Sequence, residues 1–182
     1  MTMQRIAAAL QRVESVLRRR PDTGLHDDAP ATAAWQGATR VSVAHANGTR
    51  LATDMPTELG GTGDLVTPGW LFRAGLAACA TTSIALLAAA RGITLETLEI
   101  DVHSRSDTRG LLGMTGADGV PVPAGPSDMA MSVRIAAAGI TPEKLHALVE
   151  EGCRCSPVPG AVREATPLAL RIDVGASAVA AH

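Results

Sequence analysis

The sequence predicts an α+β fold: a largely antiparallel sheet with a long buried central helix and a second helix. Three observations predict it. Pro68 to Gly92 (PGWLFRAGLAACATTSIALLAAARG) is the longest apolar run in the chain. Short alternating segments lie on both sides of it, two of them joined by Ala46-Asn47-Gly48, and Asn-Gly is a strong hairpin signal. A second helical pattern opens at Thr141-Pro142, with Thr as N-cap and Pro in the first helical position. Hairpin-linked strands with a few helices indicate α+β with a largely antiparallel sheet.

Taken in order, Met3, Ile6, Leu10, Val13 and Leu17 recur three and four apart, so 3–19 reads as an amphipathic helix. Arg18, Arg19 and Arg20 suit its negative end, as a solvated cluster, and Pro21 stops it. Residues 21–34, rich in Pro, Asp, Thr and Ala, read as a linker. Thr39–His45 and Arg50–Met55 read as the hairpin strands. Glu58–Thr67 is a Gly-rich loop without GxGxxG or Walker spacing, hence a flexible approach to the central helix and not a phosphate cradle. In that helix Phe72, Leu76, Cys79, Ser83, Leu86 and Ala90 share a stripe. Almost no polar side chain interrupts it, so it should be buried on most sides. Leu98, Ile100 and Val102, then Met129, Met131, Val133 and Ile135, alternate with polar or small residues as two half-buried strands, separated by a long connection over 104–127. The second helix ends near Gly152. Leu168, Leu170, Ile172 and Val174 alternate as a last strand, and 175–182 reads as a flexible tail. The organisation is therefore 1–34 helix and linker, 35–174 main domain, 175–182 tail. One sheet face cannot cover so apolar a helix, which predicts a homodimer.

The chain has 182 residues, 16 Lys plus Arg against 18 Asp plus Glu, no Tyr and one Phe. This balance gives no basis for nucleic-acid binding or an anionic membrane surface. Ala74 to Ala90 is uncharged but is Ala-, Gly- and Ser-rich and closely flanked by Arg73 and Arg91, a buried soluble helix more than a membrane span. Three cysteines without framework spacing, and no secretory signal, point to the cytoplasm.

Cys79 decides the chemistry. Thiol reactions need a thiolate, and Cys79 lies about three turns into its helix, beyond the reach of the N-terminal dipole. A cation must then come from elsewhere, and Arg40 or Arg50 of the hairpin could supply it only through the fold. On the residues alone, inert core packing is the stronger reading. Cys153 and Cys155 form a C-x-C pair with only His146 nearby, too few ligands for a metal site. They either are incidental thiols or resolve an oxidised Cys79. No Ser-His-Asp pattern and no G-x-S-x-G occurs, the histidines are scattered, and no cofactor is implied.

The run Pro56 to Cys79 (PTELGG…TPGWLFRAGLAAC), together with Ser156-Pro157-Val158, resembles the OsmC/Ohr family of osmotically inducible and organic-hydroperoxide-resistance proteins. The likeness spans roughly 39–174 and leaves the N-terminal helix as an extension. It implies an intertwined homodimer with central helices packed between curved sheets. It also implies reduction of organic peroxides by the central-helix cysteine, here Cys79. In the family a second cysteine just before the Pro of the x-P-V turn forms a disulfide with the first, and an external dithiol restores both. A hairpin arginine, here Arg40, stabilises the thiolate, and a glutamate early in the central helix holds it. In this sequence the residue before Pro157 is Ser156, with Cys155 one place earlier, and Gly69 stands at the glutamate position. The expected function is thiol peroxidase through Cys79, with Cys155 and Arg40 assisting. The alternatives are a non-catalytic protein holding a hydrophobic small molecule at the dimer interface, or a thiol redox sensor.

Overall fold

The computed structural model describes residues 3–175. It contains helices α1 (Met3–Arg19), α2 (Pro68–Ala90), α3 (Thr108–Leu111), α4 (Pro142–Arg154) and α5 (Pro157–Arg163), with strands β1 (Thr32–Trp35), β2 (Val41–Ala44), β3 (Arg50–Thr53), β4 (Thr97–Arg105) and β5 (Ser127–Ala136). The strands form two antiparallel sheets, β1-β2-β3 and β4-β5. The class is α+β, as the sequence predicts.

α2 begins and ends where its residues require. The Thr67 side chain accepts a hydrogen bond from the Trp70 amide at 3.2 Å, and Pro68 fills the first position, where no N–H is needed. At the other end Gly92 takes a positive φ of 68°, its N–H donates to Ala89 O, and the Ile93 N–H donates to Ala88 O. That pair of bonds closes the helix in a Schellman motif. α4 starts in the same way, with the Thr141 hydroxyl accepting from the Lys144 amide and Pro142 following. In the β2–β3 hairpin Val41 faces Thr53 and Ala44 faces Arg50, and the Asn47 side chain accepts from the Thr49 amide within the turn.

The core is the meeting of α2, α4 and the β4-β5 sheet. Ile84, Ala88 and Leu148 are fully buried, and Leu98, Ile100, Val133, Ile135, Leu145 and Val149 pack round them. The alternation read in the two strands therefore points one face inward: Ile100 pairs with Val133, and Val102 with Met131. Gly152 lies so close to α2 that a Cβ there would stand 2.5 Å from Ile84 Cγ1 and 2.9 Å from Ile84 Cα. An Arg91–Glu151 ion pair joins the two helices at the surface.

Five expectations change. The buried stripe of α2 is Leu76, Ala80, Ile84 and Ala88, one residue round from the Phe72–Cys79–Leu86 stripe, and Trp70, Phe72 and Leu86 remain exposed in the single chain. A helix apolar on every side offers no contrast from which its inner face can be read; α4 and the sheet choose it. Second, 21–34 is not merely a linker. Pro21–Gly24 forms a turn of 3-10 helix, and β1 begins at Thr32, pairing Trp35 with Val41. Third, the 104–127 connection contains α3 and a bridge between Thr115 and Pro121. Fourth, α5 follows α4 almost at once. Fifth, Leu168 to Val174 is no strand: Leu168 is 95% exposed and no residue there pairs. An alternating segment becomes a strand only when it pairs with a neighbouring edge, and 168–174 pairs with none of the described strands. Of the predicted tail, 176–182 lies outside the described residues.

The β1-β2-β3 sheet makes no extensive contact with the helices or with the other sheet. α1 lies along α2 with none of its residues fully buried. α2 is long and apolar enough to cross a membrane, yet it packs against α1, α4, α5 and β4.

Adding a methyl group at the α2–α4 crossing tests this packing. Gly152→Ala should lower unfolding stability by about 1–3 kcal/mol through overpacking against Ile84. Urea denaturation would show a lower midpoint at an unchanged slope.

Candidate active site

The site forms where the turn between α4 and α5 meets the side of α2. The local sequence is Ser156-Pro157-Val158-Pro159-Gly160. Proline has no N–H, so two of the three residues that open α5 carry no donor. Gly160 N–H bonds to Ser156 O at 2.9 Å. The Val158 N–H is left free and points to Cys79 Sγ at 3.5 Å. Ser156 occupies the N-cap position, where a serine oxygen ordinarily accepts from the helix's own amides. Here it makes no such cap, and its hydroxyl donates to Cys79 Sγ at 3.2 Å. Ser156 is 1% exposed, so this hydrogen bond is shielded from water. Cys79 is half-buried. Two donors aimed at one sulfur stabilise the charge that a thiolate carries in attack.

The three thiols are free and face different ways. Cys153 looks toward β5, with Sγ 4.0 Å from Met131 Sδ. Burial pushes its thiol pKa up, and the nearby Arg163 opposes this only in part. Cys155, at the end of α4, is exposed in a groove shared with Leu10, Leu17, Ser83 and Leu86. Neither sulfur is among the polar contacts of Cys79.

Arg40 sits in the turn between β1 and β2 and is bound by carboxylates. Its Nη2 donates to Asp64 Oδ2 at 2.6 Å and to the Thr62 hydroxyl at 2.9 Å, and its Nε lies 3.5 Å from Asp54 Oδ2. Asp54 is 1% exposed. It accepts from the Thr39 hydroxyl, from the Thr62 hydroxyl and amide, and from the Met55 amide. These donors, Thr39 foremost, hold its carboxyl far below the usual carboxylate range. Asp64 is lowered as well, first by the Thr62 hydroxyl and then by Arg40. Arg40 makes no hydrogen bond to Cys79. Arg73 is turned the other way, toward the Ser104 hydroxyl of β4 at 3.4 Å.

Sequence reasoning therefore singled out Cys79, Arg40 and Cys155 but missed Ser156, Val158, Asp54 and Asp64. The Pro-Val-Pro spacing was the available signal for the first two, because it leaves one unpaired amide. Nothing in the pattern around Asp54 and Asp64 marks them.

The sequence profile of the OsmC family, described as OsmC-like protein, matches residues 61–171. The chain belongs to the OsmC-like family. Solved structures of similar fold include an OsmC-like protein from Mycoplasma pneumoniae, 17% identical, with a TM-score of 0.62 over 76% of this chain and 89% of that one. An organic hydroperoxide resistance protein OsmC from Legionella pneumophila is 25% identical, with a TM-score of 0.54 over 76% and 91%. An organic hydroperoxide resistance protein from Elizabethkingia anophelis, with thiocyanate bound, is 22% identical, with a TM-score of 0.54 over 76% and 90%. A comparison with curated proteins gives no match. The resemblance read from Pro56–Cys79 is thus upheld.

Asp54 gives a pH signature. A carboxyl with a depressed folded-state pKa adds stability that is complete above the unfolded value of about 4 and is lost as pH falls toward the folded one. Asp54→Asn should therefore destabilise the protein at neutral pH. The gap to the wild type should narrow as pH drops below about 4, measured by urea unfolding at a series of pH values.

Proposed function

We propose that this OsmC-like protein is a thiol peroxidase that reduces organic hydroperoxides through Cys79. The observation that carries the reading is the pair of donors, Ser156 Oγ and Val158 N, converging on one half-buried sulfur. An inert core cysteine has no use for two donors. A sulfur that must bear negative charge while it attacks does.

In this mechanism the Cys79 thiolate attacks the terminal oxygen of the peroxide. A sulfur–oxygen bond forms, the O–O bond breaks, and the alkoxide takes a proton and leaves as an alcohol. Cys79 becomes a sulfenic acid. An apolar cavity of about 400 Å³ opens beside α2 and α5, walled by Leu76, Val102, Met131, Val149, Pro159 and Val162. Cys79 is not in its wall, but the cavity borders the same two elements and supports a preference for peroxides with a hydrocarbon part.

The active form in this proposal is a cytoplasmic homodimer. The exposed Trp70, Phe72 and Leu86 on α2, and a first sheet without extensive contact to its own helices, both favour a second copy of the chain. Arg40 then serves at the site that the sheet covers, held by Asp54 and Asp64 from the loop before α2 in place of a carboxylate at position 69.

Cys79→Ser is the direct check. Stopped-flow reduction of cumene hydroperoxide with excess dithiothreitol should proceed with the wild type and be lost in the variant. Undiminished turnover in the variant would rule out the assigned role.

A further inference from the structure

We infer that oxidised Cys79 is not resolved by another cysteine of this protein: Ser156 holds its sulfenic acid until an external thiol reduces it. The inference rests on the peroxidase reading above and specifies the second half of that reaction.

It follows from how the last turn of α4 fans its side chains. Cys153 faces Met131 on β5, Cys155 faces the groove beside α1, and Ser156 faces Cys79 on α2. These directions are fixed by backbone bonds: Cys155 N–H to Glu151 O at 3.0 Å, Ser156 N–H to Cys153 O at 3.3 Å, and Gly160 N–H to Ser156 O at 2.9 Å. A disulfide requires two sulfurs about 2 Å apart and Cβ atoms that face each other. Cys155 lines the groove with Ser83 and Leu86, and it is Ser156, one residue on, that makes the contact to the Cys79 sulfur. The place beside Cys79 that a second sulfur would need is filled by a hydroxyl. A hydroxyl cannot form a sulfur–sulfur bond, but it can donate to the sulfur or to the oxygen that the sulfur gains.

The reduction then balances as follows. A low-molecular-weight thiol attacks the Cys79 sulfenic sulfur; a sulfur–sulfur bond forms, the sulfur–oxygen bond breaks, and the oxygen leaves as water with the thiol's proton. A second thiol, or the second sulfur of a dithiol, attacks the mixed disulfide and releases Cys79 as the thiol together with the oxidised reductant. Ser156 is unchanged throughout.

The test is intact-mass spectrometry of the reduced full-length protein after one equivalent of cumene hydroperoxide, with peptide mapping. The wild type should gain the mass of one oxygen, trapped by dimedone at Cys79. β-Mercaptoethanol alone should return it through a mixed disulfide. Ser156→Cys should instead lose two hydrogens and yield a Cys79-linked disulfide, because the new sulfur sits where the hydroxyl was. Ser156→Ala should oxidise about fivefold more slowly, the loss of one hydrogen bond to the reacting sulfur. A wild-type disulfide joining Cys79 to Cys153 or Cys155, within one chain or between two, would overturn the inference and leave the peroxidase reading standing. Failure of Ser156→Cys to close a disulfide, or an unchanged rate in Ser156→Ala, would overturn the role given to Ser156. A Cys79 that stays a thiol under peroxide would remove both readings.

Discussion

Ile84 of α2 rests against the bare backbone of α4 at Gly152, with no side chain between them. Much else depends on that approach. It brings Leu148 into the centre of the core beside Ile84 and Ala88. It also sets the height at which α4 ends, and so where the turn into α5 delivers Ser156 and Val158. Cys79 lies just over one helical turn before Ile84, within reach of that turn. The packing contact and the hydrogen bonds to sulfur are consequences of one helix crossing. A larger residue at 152 would clash with Ile84 and press the two helices apart at this crossing.

A second constraint is electrostatic. Arg40, Asp54, Asp64, Thr39 and Thr62 form one network that ties the β1–β2 turn to the loop leading into α2. Asp54 is buried, and its donors are chiefly neutral hydroxyls and amides. Its charge is therefore held mainly by fixed dipoles, with Arg40 at the edge. The network holds Arg40 in place, so its guanidinium keeps little side-chain freedom.

The ends of α2 and α4 were readable because capping is local chemistry: Thr67-Pro68, Thr141-Pro142 and Gly92 sit where an N-cap, a first turn and a left-handed stop demand them. The hairpin at Asn47-Gly48 was readable for the same reason. What escaped depends on long-range choices. β1 is only Thr-Ala-Ala-Trp, a weak strand by composition, and it exists through its register with β2. The stripe of α2 that turns inward was set by Gly152 and Leu148, far away in sequence. The alternation of Leu168 to Val174 is real, but the segment pairs with no strand among the described residues. At the site, Cys79 could be singled out as the one sulfur in the central helix. Ser156 looked like a departure from the family's second cysteine, and only the distance to sulfur gives it a part in the chemistry.

The account stands on Cys79 being the sulfur that this surrounding activates, ahead of the more exposed Cys155. The most direct measurement is competitive: the protein receives less than one equivalent of cumene hydroperoxide, and each remaining thiol is counted by isotope-coded alkylation. Cys79 should be consumed first, with Cys153 and Cys155 still reduced. Equal loss at all three, or loss of Cys155 first, would contradict it.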